Sequence, residues 1–189
     1  MATFGFIGTG NMGGALARAA RKRLSGGEIL LANRSAAKAE ALAQELDCRA
    51  VDNAAVAAEA DYIFLGVEPY MVAGLMEKIG PVLAARKDRF VLVSMAAALT
   101  IPDLRERGCG DWPLIRIMPN TPSAIGEGVI FYTCDGVTAE EEAAFLENMA
   151  GAGRLLPLDD HLMDAGSAVS GCGPAFVDLF IEAMADGGV

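Results

Sequence analysis

Residues Thr3 to Asn33 run strand, glycine turn, helix, strand with almost no connecting chain. TFGFIG (Thr3 to Gly8) is a short apolar strand, and the next residues read Gly8-Thr9-Gly10-Asn11-Met12-Gly13, a G-x-G-x-x-G pattern. NMGGALARAARKRL (Asn11 to Leu24) then places Met12, Leu16, Ala19, Ala20 and Leu24 near one helical face. EILLAN (Glu28 to Asn33) follows as the second strand. A strand that enters a helix through such a turn belongs in a βαβ unit with parallel strands, which confines the chain to an α/β architecture.

The remaining sequence repeats the alternation. Ser35 is placed to cap a helix through Ala39, Leu42 and Leu46. DYIFLGV (Asp61 to Val67), RFVLVSM (Arg89 to Met95) and PLIRIM (Pro113 to Met118) are nearly continuous apolar runs, as strands buried on both faces should be. Pro69 starts a helix that extends to about Ile79. GVIFYT (Gly128 to Thr133) is the last clear strand before a helix that Thr138 and Glu141 open as a capping box and Gly151 closes. GRLLPL adds an edge strand. The predicted fold is a Rossmann-type, doubly wound, mostly parallel sheet over residues 1–159. Beyond Asp160 the strand pattern stops, and residues 160–189 read as helix, glycine turn, helix: the first helices of an all-α C-terminal domain.

Composition excludes several classes of function. Net charge is −10, so a surface that tracks nucleic-acid phosphates or anionic lipid is not expected. Four scattered cysteines (Cys48, Cys109, Cys134, Cys172) and one histidine, His161, offer no metal-ligand spacing, and none is predicted to bind a metal. Unpaired cysteines and an N-terminus with no signal-peptide pattern predict a cytoplasmic location. No uninterrupted apolar run reaches the length of a membrane span.

Within the glycine turn, Gly8 makes the bend, Gly10 lets the backbone approach a pyrophosphate and Gly13 lets the helix pack on the strand. The helix N-terminus supplies unpaired N–H groups to the phosphates, so a dinucleotide is the expected ligand. The second strand ends in Asn33-Arg34-Ser35 and carries no acidic residue at its tip. A guanidinium, an amide and a hydroxyl suit a 2′-phosphate, so NADP(H) is expected over NAD(H), which is still able to bind. RIMPNTPSAIGEG (Arg116 to Gly128) places a polar, proline-stiffened loop after a buried strand, where an α/β sheet binds its ligand.

These residues resemble the pyrroline-5-carboxylate reductase family. The resemblance rests on GFIGTGNMGGALA, NR after the second strand, MPNTP followed by GEGV, LMDAGSAVSGCGPAF and LFIEAMADGGV, and spans essentially the whole chain. It implies NAD(P)H-dependent reduction of 1-pyrroline-5-carboxylate to L-proline in proline biosynthesis. Asn33, Arg34 and Ser35 would hold the adenosine half, bordered by Asn53, Val67, Glu68 and Pro69. Ala96 and Ala97, with Met118, Pro119, Asn120 and Thr121, would lie along the nicotinamide. The family's helical domain continues further, pairs with a second subunit to form a homo-oligomer, and carries a Ser/Thr loop for the substrate carboxylate that this sequence does not contain. No residue here is therefore assigned to catalysis, and the helix Pro174 to Met184 is expected to leave its apolar side chains partly exposed. Glu68 stands where the family usually has lysine, Ala98 where it has glycine, Cys172 where it has serine and Phe176 where it has tyrosine. Two other functions fit parts of the pattern. One is a 3-hydroxyacid dehydrogenase-like NADP oxidoreductase, which needs a lysine after the second glycine turn, and none follows Gly173. The other is a nucleotide-binding piece without turnover.

Overall fold

The computed structural model describes residues 2–189. Eight strands form one sheet in the order β3-β2-β1-β4-β5-β6-β7-β8. They are β1 (Phe4–Ile7), β2 (Ile29–Ala32), β3 (Arg49–Ala50), β4 (Tyr62–Leu65), β5 (Val91–Ser94), β6 (Leu114–Met118), β7 (Gly128–Asp135) and β8 (Gly153–Pro157). β3 through β6 in that order are parallel, β7 runs antiparallel to β6, and β8 is parallel to β7. The chain winds outward from β1 in both directions, so a topological switch point lies between β1 and β4.

Each strand divides its side chains between two apolar layers. Phe4, Phe6, Phe64, Val93, Ile115 and Ile117 pack against helices α1 (Asn11–Arg21), α2 (Ala36–Leu46) and α6 (Ala139–Met149). Ile7, Ile63, Leu65, Leu92 and Leu114 pack against α3 (Asn53–Glu59), α4 (Val72–Ala85) and the short α5 (Ile101–Leu104). Fully buried Phe145 of α6 lies within 6.3–6.4 Å, centroid to centroid, of Tyr62 and Phe64 on β4 and of Tyr132 on β7.

Several elements differ from the sequence expectation. α1 stops at Arg21, and Leu24 is buried in the link beyond it. The segment after Pro69 opens with a 3₁₀ turn (Pro69–Met71), and α4 then runs to Ala85, past Pro81. Ser35 stands at the N-cap of α2 but its side chain makes no capping bond. β3, α3 and α5 have no counterpart in the sequence reading. They are short, and α3 owes its start to Asp52, whose Oδ1 accepts the Ala55 N–H at 2.7 Å.

The expected glycine turn near Ser170 does not break the chain. α7 (Met163–Ser167) passes through a π turn (Ala168–Cys172) directly into α8 (Gly173–Gly187). Gly173 takes ordinary right-handed helical angles, so the helical stretch Asp160–Gly187 is continuous over 28 residues. By length and composition alone that stretch could cross a membrane, although no single apolar run in it is long enough. None of α8 is buried: Phe176, Leu179, Phe180, Ile181 and Met184 are 59–66% exposed.

The aromatic cluster sets a stability expectation. Phe145→Ala empties the contact between α6 and strands β4 and β7 and should destabilise the chain by about 3–5 kcal/mol, read as a lower midpoint in urea unfolding. An unchanged midpoint would show that α6 does not anchor that layer.

Candidate functional site

Backbone contact at the switch point defines the site. The Gly8 N–H donates to Ala32 O and the Gly66 N–H donates to Ile7 O, both at 2.8 Å, which brings the ends of β1, β2 and β4 together. Gly8 has φ +99°, and a Cβ there would lie 2.1 Å from Gly66 O. A Cβ on Gly66 would lie 2.5 Å from Gly8 O, and one on Gly13 would lie 2.0 Å from that same oxygen. All three positions therefore exclude any side chain. Gly10 differs, with nothing within 4 Å of its would-be Cβ and its backbone exposed. The chain is thus packed tightly on one side of the turn and left open on the other, where a ligand can meet the backbone.

The helix ends at this rim are open to an anion. α1 and α2 have no side-chain cap and no acidic residue in the first turn. α6, by contrast, is capped by Thr138 and carries Glu140, Glu141 and Glu142 in its first turn. The N–H groups and positive dipole ends of α1 and α2 therefore remain available to a phosphate in an otherwise acidic protein. Exposed Arg34, Ser35 and Lys38 surround the start of α2. Thr9 is 8% exposed, and its Oγ1 has no hydrogen-bond partner among the described residues. This cradle fits a phosphorylated dinucleotide.

The other candidate residues follow strands that end on the same edge. Val67, Glu68 and Pro69 follow β4, Ala96 and Ala97 follow β5, and Met118 to Thr121 follow β6. Asn53 begins α3 just after β3. Asn11 and Met12 form the first turn of α1. Behind β5, buried Ser94 accepts the Ala96 N–H at 3.3 Å, and Ala98 is held at φ +60°, where its methyl is strained.

Two candidate amides are engaged in holding loops. Asn33 Oδ1 accepts the Thr9 N–H at 3.2 Å while its Nδ2 donates to Ser35 O at 3.3 Å, tying the glycine turn to the Arg34 loop. Asn120 Oδ1 accepts the Val129 N–H and its Nδ2 donates to Ser170 O, both at 2.9 Å. Sequence reasoning missed Gly66, whose signal was a glycine closing a buried strand. It also missed Lys38, a base one turn inside α2.

A cleft of about 460 Å³ opens at the opposite end of the sheet, lined by Tyr132, Cys134, Glu142, Pro157 and Leu158 among others. Its hydroxyl and thiol, on Tyr132 and Cys134, are poorly suited to proton transfer near neutral pH. Burial, reinforced by the neighbouring Glu142 carboxylate, pushes both the Tyr132 hydroxyl and the Cys134 thiol up to about 12.

Comparison with known proteins gives a consistent picture. Residues 3–98 match the family described as NADP oxidoreductase coenzyme F420-dependent, and residues 160–189 match pyrroline-5-carboxylate reductase dimerisation. The chain is 34% identical to the pyrroline-5-carboxylate reductase of Pisum sativum, covering 99% of this chain and 68% of the pea protein. It is 31% identical to that of Corynebacterium melassecola, covering 100% of this chain and 71% of the relative. Among solved structures, Plasmodium falciparum pyrroline carboxylate reductase with NADP bound superposes with a TM-score of 0.84 at 27% identity, covering 99% of this chain and 69% of that one.

Two glycines separate binding from folding. Gly10→Ala should leave stability within about 0.5 kcal/mol yet weaken NADPH binding about tenfold or more, because its methyl enters only the ligand's space. Gly13→Ala should lower both. Equal losses of stability for the two variants would contradict this division. Thiol labelling at pH 8 tests buried Cys109 and partly buried Cys134. Burial disfavours the thiolate, so buried Cys109 (pushed up to about 11) stays unlabelled in the folded chain and partly buried Cys134 (pushed up to about 12) labels slowly, while exposed Cys172 reacts. Labelling of all three at one rate would contradict the burial.

Proposed function

The chain belongs to the pyrroline-5-carboxylate reductase family, and we propose that it reduces 1-pyrroline-5-carboxylate to L-proline with NADPH in preference to NADH. The observation that carries this reading is identity to curated reductases along the whole chain, coupled to an anion-ready cradle at the switch point.

When bound, NADPH would supply the hydride that reduces the carbon of the substrate C=N bond. The chain itself binds and orients. N–H groups at the start of α1 face the pyrophosphate, and the open side of Gly10 admits it. Arg34 and Ser35, with Lys38, meet the 2′-phosphate. The loops Ala96–Ala98 and Met118–Thr121 would hold the nicotinamide, and Asn120 of the second loop is bonded to Ser170 O of the π turn. A cyclic imine is readily protonated in water, so positioning two planar rings is the principal task and no strong side-chain base is required. We further propose that a second copy covers the exposed apolar residues of α8, consistent with the dimerisation match there. All four cysteines are free thiols, which supports the cytoplasmic location proposed for it.

The direct test follows NADPH absorbance with and without 1-pyrroline-5-carboxylate and assays proline formed. Imine-dependent oxidation with matching proline is the expected result. NADPH binding without such oxidation would favour a nucleotide-binding role. Arg34→Ala should raise the Kd for NADPH about tenfold and leave that for NADH nearly unchanged. Equal changes for both would remove Arg34 from cofactor choice.

A further inference from the structure

One strand of the sheet carries a buried cation that cofactor binding does not use. Arg116 lies in the middle of β6, on the face of Leu114, and is 1% exposed. Its Nη1 donates to Asp160 Oδ1 at 2.6 Å and to Asp160 O at 3.1 Å. Asp160 Oδ2 accepts the Ile101 N–H at 3.0 Å. Asp164 Oδ1 stands 3.5 Å from Nη2, while Nε and Nη2 make no hydrogen bond among the described residues. A single carboxylate thus joins the sheet, the start of α5 and the start of the long helical stretch.

The same stretch is tied to β6 a second time. Asn120, just beyond the end of the strand, donates to Ser170 O at 2.9 Å. Arg116 and Asn120 are four residues apart on extended chain, about 13 Å. Asp160 and Ser170 are ten residues apart on helix, about 15 Å. The two spans match, so the helix runs alongside β6 toward the cofactor end and is moored at both points. Between them Gly166 allows close approach: a Cβ there would lie 2.8 Å from Leu158 Cδ2 and 3.0 Å from the Phe131 ring. Apolar contact alone would let a helix slide along a sheet, whereas a buried ion pair and an amide bond at set positions fix its axial register.

We propose that Arg116 is a positioning residue for imine reduction: through Asp160 it sets the register of the helix so that the Ser170–Gly173 turn sits over the Met118–Thr121 loop. This rests on the proposed reductase activity, in which the imine must lie between that loop and the helical stretch. Arg116 touches neither ligand and acts through the turn it places.

The test uses Asp160→Asn, Arg116→Lys and Arg116→Met in the full chain. Three readouts are compared: NADPH affinity by its fluorescence, steady-state kinetics with 1-pyrroline-5-carboxylate, and hydrogen exchange of residues 163–173. The expected result for Asp160→Asn is NADPH affinity within about twofold of the parent, kcat/KM for the imine down about tenfold or more and faster exchange across 163–173. Arg116→Lys should retain part of the activity that Arg116→Met loses. Unchanged exchange in Asp160→Asn overturns the mooring, whatever the kinetics. Parallel losses of NADPH affinity and imine turnover overturn the positioning role in favour of general stability. Absence of imine turnover in the parent chain defeats the reductase reading, and the role in imine reduction with it.

Discussion

Backbone contact among Gly8, Gly13 and Gly66 is the constraint on which the rest of the molecule depends. At the switch point the sheet brings β1 and β4 side by side while α1 departs over them, and the oxygens of Gly8 and Gly66 occupy the space where side chains would otherwise stand. Any Cβ on that inner side forces the helix away from the strand. With none present, α1 sits close, its N-terminus faces the edge where β1, β2, β4, β5 and β6 all end, and Gly10 turns the open side of its backbone outward. The apolar layers then follow from strand alternation, with each buried strand supplying alternate side chains to the two helical faces.

Charge placement complements this geometry. The protein as a whole is acidic, yet the N-termini of α1 and α2 at the cofactor edge carry no carboxylate, and Arg34 and Lys38 flank the start of α2. Acidic residues are placed instead where they complete structure: Asp52 caps α3, Glu141 closes the capping box of α6 and pairs with Arg89, and Asp160 meets Arg116. An anion is therefore drawn to one rim of the sheet by local dipoles and bases against the sign of the net charge.

How much of this was legible in the sequence depends on how local each signal is. The glycine turn, the apolar strands, the Thr138–Glu141 box and the edge strand GRLLPL each declare themselves within a few residues, and each appears in the structure. The candidate residues from Gly8 to Thr121 do end on one edge, because parallel strands carry their following loops to the same side. What escaped was decided by distant partners. Gly66 matters because of Gly8, which is remote in sequence. The Ser170 region reads locally as a glycine turn but is kept helical, with Asn120 bonded to Ser170 O and the Ser170 hydroxyl donating to Gly166 O. Arg116 sits in an apolar strand run, and its carboxylate partner is 44 residues away. Ser35 offered a cap that its side chain does not make, which leaves the α2 N-terminus open.

The most direct measurement is the change in backbone amide NMR signals of the full chain on titration with NADPH. Large shifts confined to Gly8–Gly13, Asn33–Ala37, Ala96–Ala98 and Met118–Thr121, with residues around Tyr132 and Leu158 unmoved, are the predicted result. Shifts centred on the cleft at the opposite end of the sheet, or none at the glycine turn, would contradict the account.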